Sequence, residues 1–244
     1  MTSPAAEDKH QREDPPRKGI LSYVRANGMP RTLKTGLKAL KHSLFEQTES
    51  TWFSRALNDL PKFHAALFND ISFDLADAPD SPIPAWIEAH KNEFPWIYHP
   101  QELEAAYAEP HPYLAIRGGG EEIAGFVKLA TGRVYIFDFN QEVVLPPGTG
   151  LIYDCLVVPA YRGRRILGDA VTHLLTQMRQ RSLHTVWAHI AHYNQPSLKA
   201  FERLGFVPRA RIRYVRCYRC SLFIRDGRYP FANLAAFLEE RSRP

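Results

Sequence analysis

Residues 157–168, VVPAYRGRRILG, bring together the residue types that bind a phosphate-bearing ligand. They read as the end of a buried strand, a turn with Pro159, a basic loop with Gly163, and the start of a helix. The first N–H groups of a helix have no partner inside it, and the helix dipole is positive there, so this end attracts anions. Arginines add charge-assisted hydrogen bonds. The segment therefore predicts a diphosphate site, with a solvated basic turn as the alternative.

A second segment, residues 194–206, has the sequence NQPSLKAFERLGF. Pro196 suits the first turn of a helix, and Gly205 suits the position just after its end. Asn194 precedes this predicted helix, so its side chain can cap the first turn.

In this order and at this distance, the two segments resemble the GCN5-related N-acetyltransferase (GNAT) superfamily, over roughly residues 113–223. The acyl-CoA loop of the superfamily has the form Arg/Gln-x-x-Gly-x-Gly/Ala after a strand. Its second hallmark is Asn, six residues, and then Tyr-Glu-x-Leu-Gly-Phe. This chain departs at Arg165 and Leu167, where the superfamily prefers small residues. It also has Phe201 where many members have a tyrosine that protonates the leaving thiolate.

The resemblance implies a binding site for acetyl-CoA or another acyl-CoA. Loop amides and arginines would hold the pyrophosphate, while Asn194 and main-chain groups of Leu156 and Val158 would hold the pantetheine arm. The cofactor-binding residues so predicted are Leu156, Val157, Val158, Arg162, Gly163, Arg164, Arg165, Ile166, Leu167, Gly168, Asn194, Ser197 and Phe201.

Acyl transfer to an amine requires a base, because an ammonium group has no lone pair. The candidates are Asp154 on the predicted central strand, and His189 and His192 near the end of the next strand. Histidine suits proton transfer near neutral pH. Each candidate also has a structural alternative, as a partner of an arginine or as a core histidine. Tyr193 is a substitute for the acid that Phe201 cannot supply. The usual chemistry of the superfamily is direct attack on the thioester, helped by orientation.

Two further groups of residues carry weaker signals. Arg209, Arg211 and Arg213 alternate, so they lie on one face of a predicted strand, where they would either bind an acidic acceptor or keep the strand soluble. Cys217 and Cys220 form a C-x-x-C without a second pair, so no zinc site or other metal site is predicted.

The pattern of the chain predicts one α/β (α+β) domain with a GNAT-like mixed central sheet of about six to seven strands flanked by helices. Strands are predicted near 72–75 and over 111–117, 122–129, 134–139, 150–158, 184–190, 207–215 and 217–223. Helices are predicted over 85–92, 101–108, 166–181, 196–204 and 231–241.

The chain has 244 residues and 45% hydrophobic residues, which suits a globular domain with a core. It has no run of eighteen apolar residues, and its polar N-terminus lacks the apolar stretch of a signal peptide, so a cytoplasmic location is predicted. Residues 1–48 are predicted to be a basic, partly disordered extension before the domain at 49–244. Within it, residues 31–45 form an amphipathic helical pattern that either docks on the domain or contacts an anionic inner membrane surface.

These patterns predict an acyl-CoA-dependent acyltransferase. An N-acetyltransferase acting on the amine of a small-molecule or glycan acceptor is favoured. The alternative is a non-catalytic acyl-CoA-binding module at an anionic membrane or a partner protein, which Phe201 and the altered loop favour. Nucleic-acid binding is disfavoured, because a net charge of +5 is modest and the aromatic and glycine patterning of single-strand binders is missing.

Overall fold

Eleven strands and four α-helices form the part of the chain that the computed structural model describes, namely residues 45–60, 70–108, 111–120, 122–139, 141–217, 220–227, 229–231, 234, 237 and 238. The strands are β1 (Phe45–Ala56), β2 (Ser72–Asp77), β3 (Pro112–Arg117), β4 (Ile123–Thr131), β5 (Arg133–Ile136), β6 (Gln141–Val144), β7 (Thr149–Val157), β8 (Thr185–Ala191), β9 (Val207–Cys217), β10 (Cys220–Arg225) and β11 (Tyr229–Phe231). The helices are α1 (Ile83–His90), α2 (Pro100–Ala108), α3 (Ile166–Gln180) and α4 (Gln195–Arg203).

Nine strands make one mixed sheet in the order β11-β10-β9-β1-β8-β7-β4-β3-β2, and β5 and β6 form a separate hairpin. The α/β prediction is confirmed, with more strands than the six or seven expected. The two additional strands of this sheet are β11, at its edge, and β1, which lies between β8 and β9 in the middle of the sheet. Its sequence, FEQTESTWFSRA, carries polar residues even at buried positions such as Ser50 and Ser54, so it lacks the apolar alternation of a strand.

The sheet buries apolar side chains on both faces. One cluster lies against α3 and α4 and includes Phe53, Val127 and Leu174. A second contains Trp52, Phe139 and Trp187, and a third packs α1 against β3, β4 and β7. Helix α3 keeps Ile166, Ala170, Val171, Leu174, Leu175 and Met178 buried, which is the one-sided pattern expected of a helix lying on a sheet.

The N-terminal predictions fall largely outside the described residues. The amphipathic pattern over 31–45 lies outside them except for Phe45, which begins β1. The predicted boundary between 48 and 49 falls within this strand. Residues from Glu46 onward belong to one compact unit. Among the described residues, no helix is long and apolar enough to cross a membrane.

Candidate active site

A cleft opens where the parallel strands β7 and β8 separate. The two strands pair only from Thr149 with Thr185 to Ile152 with Ala188. Beyond this point β7 continues along β4 as far as Val157, while β8 continues along β1 as far as Ala191. Tyr153 begins the separation, because it is the extra residue of a β-bulge opposite Lys128 and Leu129. Bulges twist and bend a strand, which re-aims its side chains.

The backbone of β7 beyond the separation faces the cleft at alternate residues. The Val158 N–H donates to the Ala124 carbonyl at 2.9 Å, so the residues in phase with Val158 turn their backbone groups toward β4. Cys155 and Val157 therefore turn theirs away from β4. Cys155 lines the cleft, whereas Val157 does not, and its carbonyl accepts the Arg162 Nε–H. The prediction that the Val158 amide holds a ligand is not supported, because strand pairing already occupies that amide.

The loop between β7 and α3 forms the predicted cradle of amides. Gly163 and Arg165 take left-handed backbone conformations, with φ of 80° and 61°. The N–H groups of Gly163, Arg165, Ile166 and Leu167 find no acceptor among the described residues. These amides at the start of a fifteen-residue helix suit an anion such as a diphosphate. Arg165 adopts the conformation that glycine would favour and keeps its side chain exposed, so this departure from the family motif leaves the cradle open.

The arginines of the loop are partly committed to the protein. The Arg162 Nε–H donates to the Val157 carbonyl at 2.9 Å, and Arg164 pairs with Asp70 at 2.6 Å. Both contacts hold the loop in place. Arg209 and Arg211 contact Ser54 and Glu49 instead, at 2.7 and 2.6 Å, and neither lines the cleft. An acidic acceptor bound by this strand in the cleft is therefore not supported.

Tyr161 anchors the same loop on the turn between β3 and β4. Its hydroxyl donates to the Glu122 carboxylate. A Cβ atom at Gly118 would clash with the end of the Tyr161 ring, so a larger residue there would force this ring to move. The turn between β3 and β4 therefore contacts the loop of the predicted anion site through Tyr161.

The cleft has a volume of about 330 Å³ and is bounded by the ends of β7 and β8, the start of α4, the first turn of α2 and the β5–β6 hairpin. Its lining comprises Trp96, His99, Glu102, Phe137, Asp138, Ile152, Tyr153, Asp154, Cys155, Leu167, Ala188, His189, Ile190, Ala191, Tyr193, Asn194, Ser197 and Phe201. A volume of this size can hold one small acceptor molecule next to the reactive end of an extended acyl-group donor.

Glu102 is the carboxyl group in the cleft most suited to proton transfer. It lies in the first turn of α2, is 7% exposed, and accepts a hydrogen bond from the Phe137 N–H at 3.3 Å. Burial raises its pKa from 4.5 to about 8, an effect that Lys128 opposes and Asp154 and Asp138 reinforce. A carboxyl group with a pKa near the working pH is a suitable general base for an amine.

Asp154 is held as the partner of a buried lysine. The Lys128 ammonium is 1% exposed and lies 2.9 Å from an Asp154 carboxylate oxygen. It also lies 5.6 Å from the ring centres of Phe126 and Tyr153, and 6.0 Å from that of Tyr113. Burial lowers the pKa of Lys128, but Asp154, Tyr113 and Glu102 outweigh it and raise that pKa overall. Asp154 thus lines the cleft as an ion-paired carboxylate, the structural alternative considered for it.

His189 lines the cleft, whereas His192 does not. The His189 ring stacks on Trp52 with ring centres 5.2 Å apart, and burial lowers its pKa. His192 contacts the Thr51 hydroxyl through Nδ1 at 3.4 Å. Tyr193 also lines the cleft but is 87% exposed. The structure thus brings two of these three predicted residues to the cleft.

Asn194 caps α4, because its side-chain oxygen accepts a hydrogen bond from the Ser197 N–H at 3.3 Å. Asn194, Ser197 and Phe201 all line the cleft, so the cap and the predicted ligand contact are compatible. Phe201 is buried against Phe206 and presents no hydroxyl. Cys155 is an unsuitable nucleophile, because burial raises the pKa of its thiol far above neutral.

Sequence reasoning missed Glu102, Lys128 and Asp138. Nothing in the local sequence distinguishes Glu102 from Glu104, two positions later on the same helix. Asp138 is an exposed residue next to the exposed Phe137, so its position in the sequence gives no signal for the cleft either.

The chain was compared with known proteins. The family model described as the acetyltransferase (GNAT) family matches residues 82–206. Over 131 residues the chain is 28% identical to the ribosomal protein bS18-alanine N-acetyltransferase of Escherichia coli K12, covering 53% of this chain and 76% of that protein.

Two solved structures are similar in fold. A GCN5-related glucosamine N-acetyltransferase region of a fungal multi-domain GH3 β-N-acetylglucosaminidase has a TM-score of 0.50 at 16% identity, over 77% of this chain and 23% of that chain. A GCN5-related N-acetyltransferase from Sphaerobacter thermophilus has a TM-score of 0.45 at 13% identity, over 80% of this chain and 57% of that chain. The chain thus spans less than two thirds of either structure.

The matched residues run from the segment before α1 to the end of the second motif, so they include the cradle, the separated strands and Glu102. This agrees with the resemblance that the two motifs carry. The chain therefore belongs to the acetyltransferase (GNAT) family, a family of acyl-CoA-dependent N-acyltransferases.

Proposed function

We propose that this protein transfers an acetyl group from acetyl-CoA to the primary amine of a small acceptor, with Glu102 as the general base. The observation that carries the proposal is the position of Glu102, a buried carboxyl group with a raised pKa in the cleft between the separated strands. Its carboxylate can take a proton from an ammonium group and leave an amine with a free lone pair.

The cradle and the cleft supply the binding that this reaction needs. The amides of Gly163, Arg165, Ile166 and Leu167 suit the diphosphate of acetyl-CoA, and the cleft-facing backbone of Cys155 suits its amide-bearing arm. When bound, acetyl-CoA supplies a thioester that an amine can attack directly. Holding the two reactants in one cleft replaces a bimolecular encounter, which accounts for much of the rate gain in such reactions.

The relative from Escherichia coli is named for the alanine of a ribosomal protein, so its acceptor is also an amine. For this chain, the cleft volume of about 330 Å³ favours a small acceptor or the end of a chain. The chain length of the acyl group is proposed to be that of acetyl, since Leu167 and the buried Phe201 line the cleft beside the cradle.

A second candidate function is acyl-CoA binding without catalysis. The observation that favours it is Phe201, which offers no proton to a leaving thiolate. Tyr193 remains the predicted substitute, and its exposed hydroxyl lies at the cleft. Both functions predict that acetyl-CoA binds, but only the transferase function predicts turnover of acetyl-CoA with an amine.

The experiment that separates them measures release of free CoA from acetyl-CoA with a panel of amines. We expect acceptor-dependent release whose kcat/KM rises with pH to a plateau, with an apparent pKa near 8, the value of Glu102. Acetyl-CoA binding without acceptor-dependent release at any pH between about 6 and 10 would leave the binding module as the better description.

The cradle assignment gives a separate prediction. Replacing Arg162 with glutamate places a carboxylate beside the cradle amides, so we expect the Kd of acetyl-CoA to rise at least about tenfold, or ~1.4 kcal/mol. Arg179→Glu is the matched control, because it makes the same charge change at the exposed far end of α3. Titration calorimetry measures both. Equal affinities for the two variants would show that the diphosphate binds elsewhere.

A further inference from the structure

The cleft is acidic although the whole chain carries a formal net charge of +5. Its lining contains the carboxyl groups of Glu102, Asp138 and Asp154, and none of its residues is a lysine or an arginine. Lys128 lies behind this lining and pairs with Asp154. Two carboxyl groups, those of Glu102 and Asp138, are thus left to face a ligand.

A buried polar atom beside Asp138 also points to a ligand. The side chain of His189 is only 7% exposed, and its Nδ1 has no hydrogen-bond partner among the described residues. The nearest carboxylate oxygen of Asp138 lies 3.8 Å away, which is too far for a direct hydrogen bond. Buried polar atoms are rarely left unpaired, so this gap indicates a missing partner.

The surroundings fix both groups in place. His189 stacks on Trp52 and also contacts the Phe139 ring, with ring centres 5.7 Å apart. The Thr48 hydroxyl donates to the main-chain oxygen of Asp138 at 3.1 Å. Burial lowers the pKa of His189, so at neutral pH its imidazole is uncharged and can accept a hydrogen bond through Nδ1.

A single ammonium nitrogen can lie within hydrogen-bond distance of both acceptors. Two acceptors 3.8 Å apart can each be about 2.9 Å from one nitrogen, and because Nδ1 is shielded, the His189 ring must turn slightly toward the cleft to admit it. The mouth of the cleft adds three exposed aromatic side chains, those of Trp96, Phe137 and Tyr193. Aromatic faces attract cations, so the rim and the carboxylate favour the same class of ligand.

We propose that Asp138 and His189 bind a second ammonium group of the acceptor, so that the acceptor is an aliphatic diamine or polyamine. One nitrogen is held at Asp138 and His189, and the other is delivered to Glu102. This inference rests on the proposed function, because it takes Glu102 to be the base that receives the reacting nitrogen of the acceptor. Asp138 and His189 are positioning residues that set specificity and leave the proton transfer to Glu102.

The test compares α,ω-diaminoalkanes of three to eight carbons with 1-aminoalkanes of the same length. Their binding to the full chain is measured by calorimetry at about pH 9, where Glu102 is ionised and the amines keep most of their charge. We expect a diamine of one preferred length to bind at least about tenfold more tightly than its monoamine. That length reports the spacing of the two subsites.

Asp138→Asn should abolish this preference while monoamine binding persists. Glu142→Gln is the control, because it removes one negative charge from the same hairpin at a residue that pairs with Arg133 and lies outside the cleft. His189→Phe keeps a ring against Trp52 but removes Nδ1, and should weaken diamine binding by about fivefold, the value of one hydrogen bond.

Equal binding of diamines and monoamines by the wild type, or an unchanged preference in Asp138→Asn, would overturn the inference. Acetyl transfer measured on the same amines separates this failure from that of the proposed function. If monoamines are acetylated without any preference for diamines, the second subsite is absent and the transferase function stands. If diamines bind through Asp138 and none is acetylated, the subsite stands and the transferase function fails.

Discussion

Glu102→Gln is expected to lower kcat/KM for acetyl transfer by about 10²- to 10⁴-fold at about pH 9, the usual contribution of a positioned general base. The amide keeps the size of the carboxyl group and the hydrogen bond from the Phe137 N–H, but it cannot take a proton. The rise of the wild-type rate around pH 8 should disappear in the variant, because this rise reports ionisation of Glu102. Rates over a pH series with one amine measure both effects.

Glu104→Gln is the matched control for this variant. It lies on the same helix, is exposed, and makes the same change of charge. Its pH profile should follow that of the wild type. If Glu102→Gln keeps an alkaline rise of wild-type size, another group is the base and the assignment of Glu102 fails.

The same substitution should change how stability depends on pH. Glu102 has a pKa of about 8 in the folded protein against 4.5 for an ordinary glutamate. Between these values the folded protein binds more protons than the unfolded chain, so its free energy of unfolding falls as the pH rises. Glu102→Gln has no carboxyl group at this position, so its free energy of unfolding does not fall for this reason. Its stability relative to the wild type should therefore increase between about pH 4.5 and 8, by roughly 3–5 kcal/mol for a shift of this size.

The elements that build the proposed acyl-CoA site were largely predictable from the sequence. The apolar run that became β7, the basic loop and the start of α3 are contiguous, and the local rules for strands and helix ends apply to each. Asn194 followed from the same rules. The main-chain groups that face the cleft were harder to predict. Which residues of β7 face it depends on the pairing of β7 with β4, and no local sequence pattern specifies that pairing. The pairing of the Val158 amide with Ala124 is an example.

The acceptor half was not predictable, because distant segments build it. The raised pKa on which the proposed role of Glu102 depends is set by distant elements. Burial beside the β5–β6 hairpin and Asp154 on β7 raise this pKa, while Lys128 on β4 opposes the rise. Burial and neighbouring charges set a pKa, and both are properties of the assembled fold. β1 is a second example. Its polar sequence does not predict a strand, and it forms one because it pairs between β8 and β9.

Lys128→Met is expected to lower the free energy of unfolding by about 3–5 kcal/mol, because removing one partner of a buried ion pair leaves the other uncompensated. Asp154 would then lie beside Glu102, Tyr113 and Tyr153 without its cationic partner. Denaturant unfolding near neutral pH measures the loss. Lys91→Met is the control, since its exposed ion pair with Glu88 should contribute less than about 1 kcal/mol.

The buried pair also makes two opposite predictions for the pH profile of acetyl transfer. Lys128 lowers the pKa of Glu102 and Asp154 raises it. Lys128→Met should therefore move the midpoint of the alkaline rise above 8, while Asp154→Asn should move it below. Both variants lose the same ion pair, so a merely structural role would shift both midpoints in the same direction or neither. Opposite shifts would show that the pair sets the ionisation of the base, and shifts in one direction would contradict that role.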